Sequence, residues 1–162
     1  MSWYRAVSIT LLALLLASAL VNADKIPNEL QAALEKAEQF EVFSLSPRRP
    51  KDKPRDTFHG WEVLGKTTVK DARTRTGLLT TFKKGVEEND GKAALCFNPR
   101  HGIRVFRDGK TTDFVICFEC FQVQTYEGKE RREGFLITAS PQTTFDEVLR
   151  KAGVPLPKKR GE

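Results

Sequence analysis

The feature that most constrains the fold is a two-residue turn, Asp108-Gly109, between two runs of strand-forming residues. Such a dipeptide is typical of a type I′ β-hairpin, because both of its central residues adopt positive φ angles. The turn predicts that strand 101–107 pairs antiparallel with the strand that begins at Thr112. It also sets the register, in which the partners are Arg107 with Lys110, Arg104 with Asp113, and His101 with Ile116.

Hydrophobic periodicity predicts further elements on both sides of this hairpin. A helical period indicates helices that begin at Pro27, after Asp71, and at a Thr144-x-x-Glu147 capping box. Alternating or apolar runs indicate strands at residues 40–45, 61–69, 92–97, 101–107, 112–126 and 134–138. The run 112–126 is apolar on both faces, so we expect one continuous strand at the centre of the sheet. The chain is predicted to be an α+β protein with a mainly antiparallel sheet of about five strands and two to three helices.

The first 23 residues have the pattern of a secretory signal peptide. Arg5 precedes an uncharged apolar run, and Val21-Asn22-Ala23 offers the small residues that a signal peptidase requires. The apolar run is short for a membrane span, and no stop-transfer pattern follows it. We therefore expect a soluble mature chain that begins near Asp24 and is secreted or periplasmic, without a transmembrane segment after cleavage.

The mature chain is predicted to form a single α+β domain over residues 24–157, because 139 residues suffice for one core and are too few for two ordinary domains. Its formal charge is +5, since Arg5 is the only charged residue in the signal peptide and the whole chain carries +6. The excess lies in a Pro-rich basic loop at 46–57 and a basic tail at 158–162. A solvated loop accounts for this charge better than a nucleic-acid groove, so nucleic acid is not expected as a partner.

All three cysteines and one of the two histidines lie within 25 residues. Cys96, His101, Cys117 and Cys120 have the spacing C-x4-H-x15-C-x2-C and the ligand types of a Cys3His zinc site. Zinc is the only cofactor with any support, and otherwise no cofactor is expected. Against zinc, Cys117 and Cys120 fall on opposite faces of a continuous strand, whereas zinc knuckles place both on one side of a tight turn. A thioredoxin-like use is also disfavoured, because such cysteines lie at helix N-termini.

A disulfide is the main alternative to a metal site. Exported chains meet oxidising conditions, and Cys96 can pair with either Cys117 or Cys120 across neighbouring strands. We expect one disulfide that involves Cys96 and one leftover thiol, because three cysteines cannot all pair within one chain. Three reduced cysteines in the core are the remaining alternative, since buried cysteine is usually structural.

Charged residues beside the cysteines are the candidates for a binding surface. Glu119 is the only charge in the apolar stretch 114–121, so its carboxylate requires a partner. The hairpin register predicts an Arg100–Glu119 ion pair beside Cys117. Arg100, Arg104 and Glu119 are therefore the predicted binding residues, and no catalytic residue is predicted. A pair that merely fixes the strand register is the alternative.

Four sequence blocks resemble a family of exported bacterial proteins to which no function is assigned. The blocks are Phe58-His59-Gly60-Trp61-Glu62-Val63-Leu64-Gly65, Cys96-Phe97-Asn98-Pro99-Arg100-His101-Gly102, Cys117-Phe118-Glu119-Cys120 and Gly153-Val154-Pro155-Leu156. The resemblance implies export and a single domain, without an activity, cofactor or catalytic residue. The predicted function is a binding or structural-interaction role outside the cytoplasm, with an envelope or extracellular protein as the kind of partner. The alternative is a metal-binding or redox protein that uses the Cys96, His101, Cys117 and Cys120 cluster, and an enzyme comes third.

Overall fold

The computed structural model describes residues 25–48 and 56–158. The predicted signal peptide, the middle of the 46–57 loop and nearly all of the basic tail lie outside these residues. The described chain forms seven strands and three helices. In chain order these are α1 (Asn28–Glu35), β1 (Gln39–Leu45), β2 (Thr57–Phe58), β3 (Trp61–Thr68), α2 (Ala72–Glu87), β4 (His101–Arg107), β5 (Lys110–Cys117), β6 (Gln122–Glu127), β7 (Glu130–Leu136) and α3 (Gln142–Lys151).

The strands form one antiparallel sheet in the order β2-β3-β1-β4-β5-β6-β7. The predicted α+β class and antiparallel sheet are confirmed, although the sheet has seven strands and not about five. The Asp108-Gly109 hairpin is confirmed as well. Asp108 has a φ of 50° and Gly109 a φ of 75°, as a type I′ turn requires. The pairs are those predicted: Arg107 with Lys110, Arg104 with Asp113, and His101 with Ile116.

The predicted continuous strand 112–126 is wrong, because the chain turns back in its middle. β5 ends at Cys117, β6 begins at Gln122, and the two strands pair antiparallel. Two backbone hydrogen bonds close the turn, from Cys120 N–H to the Cys117 carbonyl at 3.2 Å and from Phe121 N–H to the Phe118 carbonyl at 3.3 Å. Phe121 has a φ of 59°. This left-handed residue reverses the chain without the glycine, proline or asparagine by which turns are usually recognised.

The predicted strand 92–97 does not form either. This segment makes isolated hydrogen bonds with the end of the sheet: Ala94 N–H donates to the Cys120 carbonyl at 3.0 Å, and the Gln122 side chain donates to the Ala94 carbonyl. Leu95 is fully exposed, so burial of its side chain does not favour a paired, extended conformation here. β7, by contrast, begins four residues earlier than predicted, because its exposed first half pairs with β6 through the backbone.

Side chains and backbone together define the helix ends. Asp71 caps α2 as predicted, since its carboxylate accepts a hydrogen bond from Thr74 N–H at 2.7 Å. The predicted capping box at Thr144 is wrong, because α3 begins two residues earlier, at Gln142, directly after Pro141. None of the helices in the described part of the chain is both long and apolar enough to cross a membrane.

The sheet carries a hydrophobic cluster on each face. The three helices cover one face, where the rings of Phe82, Phe114 and Phe145 pack together. The turn between β2 and β3 folds over the opposite face, which we call the hairpin face. Gly102 of β4 permits this fold, because a Cβ there would lie 2.7 Å from the Phe58 ring. The hairpin-face cluster consists of Phe43, Leu45, Phe58, Trp61 and Val115.

Candidate functional site

The three cysteines meet at the turn between β5 and β6. Cys117 is the last residue of β5, and Cys120 lies in the turn, with 5.1 Å between the two Cα atoms. Because the chain turns between them, the two side chains reach each other and form a disulfide. Both residues are buried, with exposed fractions of 1% and 0%. The disulfide is thus closed off from the surface.

Cys96 is the third cysteine, and its thiol is free and exposed. Its Sγ atom lies 3.6 Å from the Sγ atom of Cys120. The backbone N–H of Asn98 donates a hydrogen bond to the same Cys120 sulfur, at 3.3 Å. The hydrogen bonds of Ala94 hold this segment against the β5–β6 turn. An accessible thiol therefore touches one sulfur of a buried disulfide.

The predicted disulfide that involves Cys96 is wrong. That prediction assumed a continuous strand, in which Cys117 and Cys120 lie on opposite faces and cannot bond to each other. The turn removes this separation, so the C-x-x-C pair forms the disulfide and Cys96 keeps its thiol. One disulfide and one leftover thiol were predicted correctly, but the leftover thiol is that of Cys96.

His101 does not join the cysteines. Its Nε2 atom lies 2.8 Å from Oδ1 of Asp146 on α3, and its ring packs against Phe118 and Phe145. In residues 25–48 and 56–158, no group of three or more His, Cys, Asp or Glu side chains is arranged to hold a metal ion. The predicted Cys3His set is not assembled in this oxidised state, because two of its sulfurs bond to each other and its imidazole contacts Asp146.

The predicted Arg100–Glu119 ion pair forms, with 3.2 Å between Nη2 and Oε1. The Arg100 side chain is only 10% exposed, whereas that of Glu119 is 45% exposed. Nη1 of Arg100 also donates a hydrogen bond to the carbonyl of Lys158, at 2.7 Å. Arg100 thus connects the C-terminal segment to the β5–β6 turn. Both contacts of Arg100 lie within the protein, as expected for a pair with a structural role and not for a binding residue.

Arg104, the other predicted binding residue, belongs to a charge cluster on the hairpin face, and the centre of this cluster is the buried Asp113. Its Nε donates to Oδ1 of Asp113 at 2.8 Å, and its Nη2 donates to Oδ2 at 2.7 Å. Nε2 of His59 lies 2.7 Å from the same Oδ2, and Asp113 is completely buried. Burial raises the pKa of Asp113, but the hydrogen bonds from Arg104 and His59 outweigh this effect and leave the pKa below its usual value. Because an ionised carboxylate only accepts, the Nε2 atom of His59 carries the proton of this hydrogen bond.

His59 reaches Asp113 from the turn between β2 and β3. His59 has a φ of 50° and Gly60 a φ of 84°, and this reversal lays the His59 ring on Tyr126, with 3.7 Å between the ring centroids. The stacked rings form one wall of a cavity of about 410 Å³. The other residues that line the cavity are Pro47, Trp61, Phe97, Asn98, Gln124 and Arg131.

The cavity and the roles of His59 and Asp113 were not predicted from the sequence. Two signals were present: His59-Gly60 stands between two short strand-like runs, as a two-residue turn does, and the hairpin register places Asp113 opposite Arg104. Neither signal indicates that the turn folds over the sheet face. That arrangement depends on contacts such as the one between Phe58 and Gly102.

No family model, curated protein or solved structure matches this chain. The geometry of the sulfur cluster and of the cavity is therefore the basis for any functional conclusion.

Proposed function

We propose that this protein performs thiol–disulfide exchange outside the cytoplasm, with Cys96 as the sulfur that meets the substrate. The observation that supports this most is the 3.6 Å contact between the Sγ atoms of Cys96 and Cys120. Disulfide exchange proceeds by attack of a thiolate on a disulfide sulfur, which requires the two to be in contact. Because Cys117 and Cys120 are buried, an external thiol or disulfide reaches them through Cys96.

The reaction with a substrate disulfide, RSSR, starts from the reduced protein. The Cys96 thiolate attacks RSSR, which forms a mixed disulfide on Cys96 and releases one RS⁻. The Cys120 thiolate then attacks the Cys96 sulfur, forms a Cys96–Cys120 bond and releases the second RS⁻. Finally, the Cys117 thiolate attacks the Cys120 sulfur and releases Cys96 as a thiolate. Two electrons have passed from Cys117 and Cys120 to RSSR, and the reverse sequence oxidises two thiols.

The surroundings of Cys120 suit it to the central step. Cys120 bonds to Cys117 and also touches Cys96, so both transfers within the protein involve its sulfur. The N–H of Asn98 points at that sulfur and stabilises negative charge on it, as a backbone donor does for an anion. A helix N-terminus lowers the cysteine pKa in thioredoxin-like sites, whereas here the backbone amide of Asn98, in the segment before β4, contacts the sulfur.

The export predicted from the sequence fits this proposal. Disulfides persist in secreted and periplasmic proteins, and an odd number of cysteines leaves one thiol for exchange. Binding, the role that the sequence alone favoured, becomes one part of the reaction, because a substrate must be held beside Cys96.

Two substitutions test the exchange function. In Cys117→Ser the final step cannot occur, so oxidised glutathione should convert the reduced variant into a form with a Cys96–Cys120 disulfide, detected by peptide mapping under non-reducing conditions. Cys96→Ser should keep the Cys117–Cys120 disulfide and slow its reduction by glutathione about tenfold or more, because the buried sulfurs lose their accessible relay.

A matched control shows whether the reduction rate depends on the position of the exposed thiol or only on the presence of one. The double variant Cys96→Ser/Lys110→Cys places an exposed thiol at the first residue of β5, away from the β5–β6 turn, and it should not restore the rate. Unchanged reduction of the disulfide in Cys96→Ser would contradict the proposal. So would the absence of a Cys96–Cys120 link in oxidised Cys117→Ser.

A further inference from the structure

The cavity on the hairpin face and the sulfur cluster are neighbours. Phe97 and Asn98, which directly follow Cys96, line the cavity, and Asn98 also donates its N–H to the Cys120 sulfur. The residue next to Cys96 thus lines the cavity, which brings the cavity close to the thiol. The volume of about 410 Å³ lies within the range of small-molecule sites.

The side chains that line the cavity favour an anion. Arg131 is the arginine that lines it, Asn98 and Gln124 carry amide donors, and the lining contains no Asp or Glu among the described residues. Carboxylate groups are bound in proteins by this combination of a guanidinium and neutral N–H donors. The cavity therefore has the chemistry to hold a carboxylate.

Arg131 is free to supply the charge. Its neighbour Arg132 forms ion pairs with Glu127 and Glu130, at 2.9 and 3.3 Å. In the described part of the chain, Arg131 has no such carboxylate partner and lies at the cavity instead. The two adjacent arginines thus have the same charge and different surroundings.

The nearest buried acid does not oppose an anion in the cavity. Asp113 lies behind His59, but both of its oxygens are occupied by the guanidinium of Arg104, which compensates its charge. A hydrogen bond to Asp113 and stacking on Tyr126 hold the His59 ring in place. The wall of the cavity is therefore rigid and is positioned before any ligand arrives.

We infer that the cavity binds the carboxylate end of a small anionic thiol or disulfide and presents its sulfur to Cys96. This inference rests on the proposed exchange function and names its substrate class. Arg131 pairs with the carboxylate, and Asn98 and Gln124 donate hydrogen bonds to it. The covalent steps are those given above, with RSSR as a disulfide of carboxylate-bearing thiols.

Three disulfides of different charge test the substrate class. Oxidised glutathione carries carboxylates, bis(2-hydroxyethyl) disulfide is neutral, and cystamine is cationic. The rate of oxidation of the reduced protein is measured with each, by alkylation quench and mass spectrometry. Arg131→Gln should slow the reaction with oxidised glutathione about five- to tenfold, the effect of losing one charge-assisted contact at a partly exposed site. The same substitution should change the rate with the neutral disulfide less than twofold.

Arg132→Gln is the matched control, because it removes the same charge from the adjacent position. It lowers long-range attraction of an anion by the same amount but leaves the cavity intact. We expect it to slow the reaction with oxidised glutathione less than twofold. Equal slowing in the two variants would overturn the inference, since only the net charge of the protein would then matter.

Cys96→Ser distinguishes failure of the substrate class from failure of the exchange function. If this variant reacts with all three disulfides at the wild-type rate, exchange through Cys96 is wrong. If Cys96→Ser is slow with all three and Arg131→Gln behaves like wild type, exchange stands and the anionic substrate class is wrong.

Discussion

The Sγ atom of Cys96 lies 3.6 Å from that of Cys120, although Cys120 is already bonded to Cys117. This contact joins the loop that precedes β4 to the turn that follows β5. It places an exposed thiol against a buried disulfide. In the proposed exchange, the Cys117–Cys120 and Cys96–Cys120 disulfides interconvert at this point of the fold.

In the oxidised protein, we expect Cys96 alone to react with an alkylating reagent. Iodoacetamide added under denaturing, non-reducing conditions should label one cysteine, because Cys117 and Cys120 are bonded. Peptide mapping should locate the label on Cys96. Labelling of the native protein should reach the same residue, since it is exposed. A map in which most molecules carry Cys96 in a disulfide would contradict this assignment.

We expect Asp113→Asn to destabilise the protein by about 2–3 kcal/mol at pH 7, because it leaves Arg104 without its counterion. The expected loss is below that of a fully buried pair, since the Arg104 side chain is 39% exposed. Urea denaturation measures the difference. Asp90→Asn is the control, because Asp90 pairs with Lys92 on the surface, and it should leave the urea midpoint nearly unchanged. Equal effects in both variants would refute the role of the buried cluster.

The pH dependence of the same variant has a definite sign. Because the pKa of Asp113 is lowered in the folded protein, its contribution to stability is present above the unfolded pKa and is lost as the pH falls through the lower folded pKa. The stability difference between wild type and Asp113→Asn should therefore narrow as the pH falls from about 4 towards 2. Urea midpoints at several pH values measure it, and a difference that grows on acidification would be inconsistent with this pairing.

Gly102→Ala should cost about 1–3 kcal/mol, because the added Cβ would overlap the Phe58 ring and force it to move. Gly77 offers the matched control. It lies on α2 with open space around its Cβ position, so Gly77→Ala should stabilise the protein by about 0.5–1 kcal/mol through helix propensity. Thermal or urea denaturation measures both. A Gly102→Ala variant as stable as the wild type would indicate that the β2–β3 turn does not pack on β4.

Phe118→Ala should cost about 3–5 kcal/mol, the usual range for a large aromatic side chain removed from a packed core. Phe118 is 2% exposed, and its ring lies 5.4 Å from that of Phe145 between centroids. Leu95→Ala is the control, because Leu95 is fully exposed, and it should change stability by less than about 0.5 kcal/mol. Chemical denaturation of the two variants decides whether the β5–β6 turn is anchored in the core. A loss below about 1 kcal/mol for Phe118→Ala would show that it is not.

The pairing of β4 with β5 could be predicted because its signal is local. Asp108-Gly109 allows positive φ at two successive residues, and this sets the register of both strands. The predicted Arg100–Glu119 pair followed from the same register. It forms even though Glu119 lies in a turn and not in a strand, because a long arginine side chain tolerates that change.

The region of the candidate site was also predictable, whereas its connections were not. The clustering of the cysteines marked the correct segment of the chain. Their pairing depended on the turn after Cys117, which contains no glycine, proline or asparagine to mark it. Periodicity therefore predicted one strand and the wrong disulfide.

The sequence by itself determined the features whose free energy is local: the β4–β5 turn, the Asp71 cap and the amphipathic helices. Tertiary structure alone decided where the chain reverses at Phe121 and where the β2–β3 turn folds over the sheet. A left-handed residue other than glycine costs roughly 1–2 kcal/mol, and at Phe121 this cost is offset only once Phe118 and the disulfide are buried. His59 likewise meets Asp113 only when the sheet is complete. Such reversals depend on partners far apart in the chain, so no short window of sequence contains them.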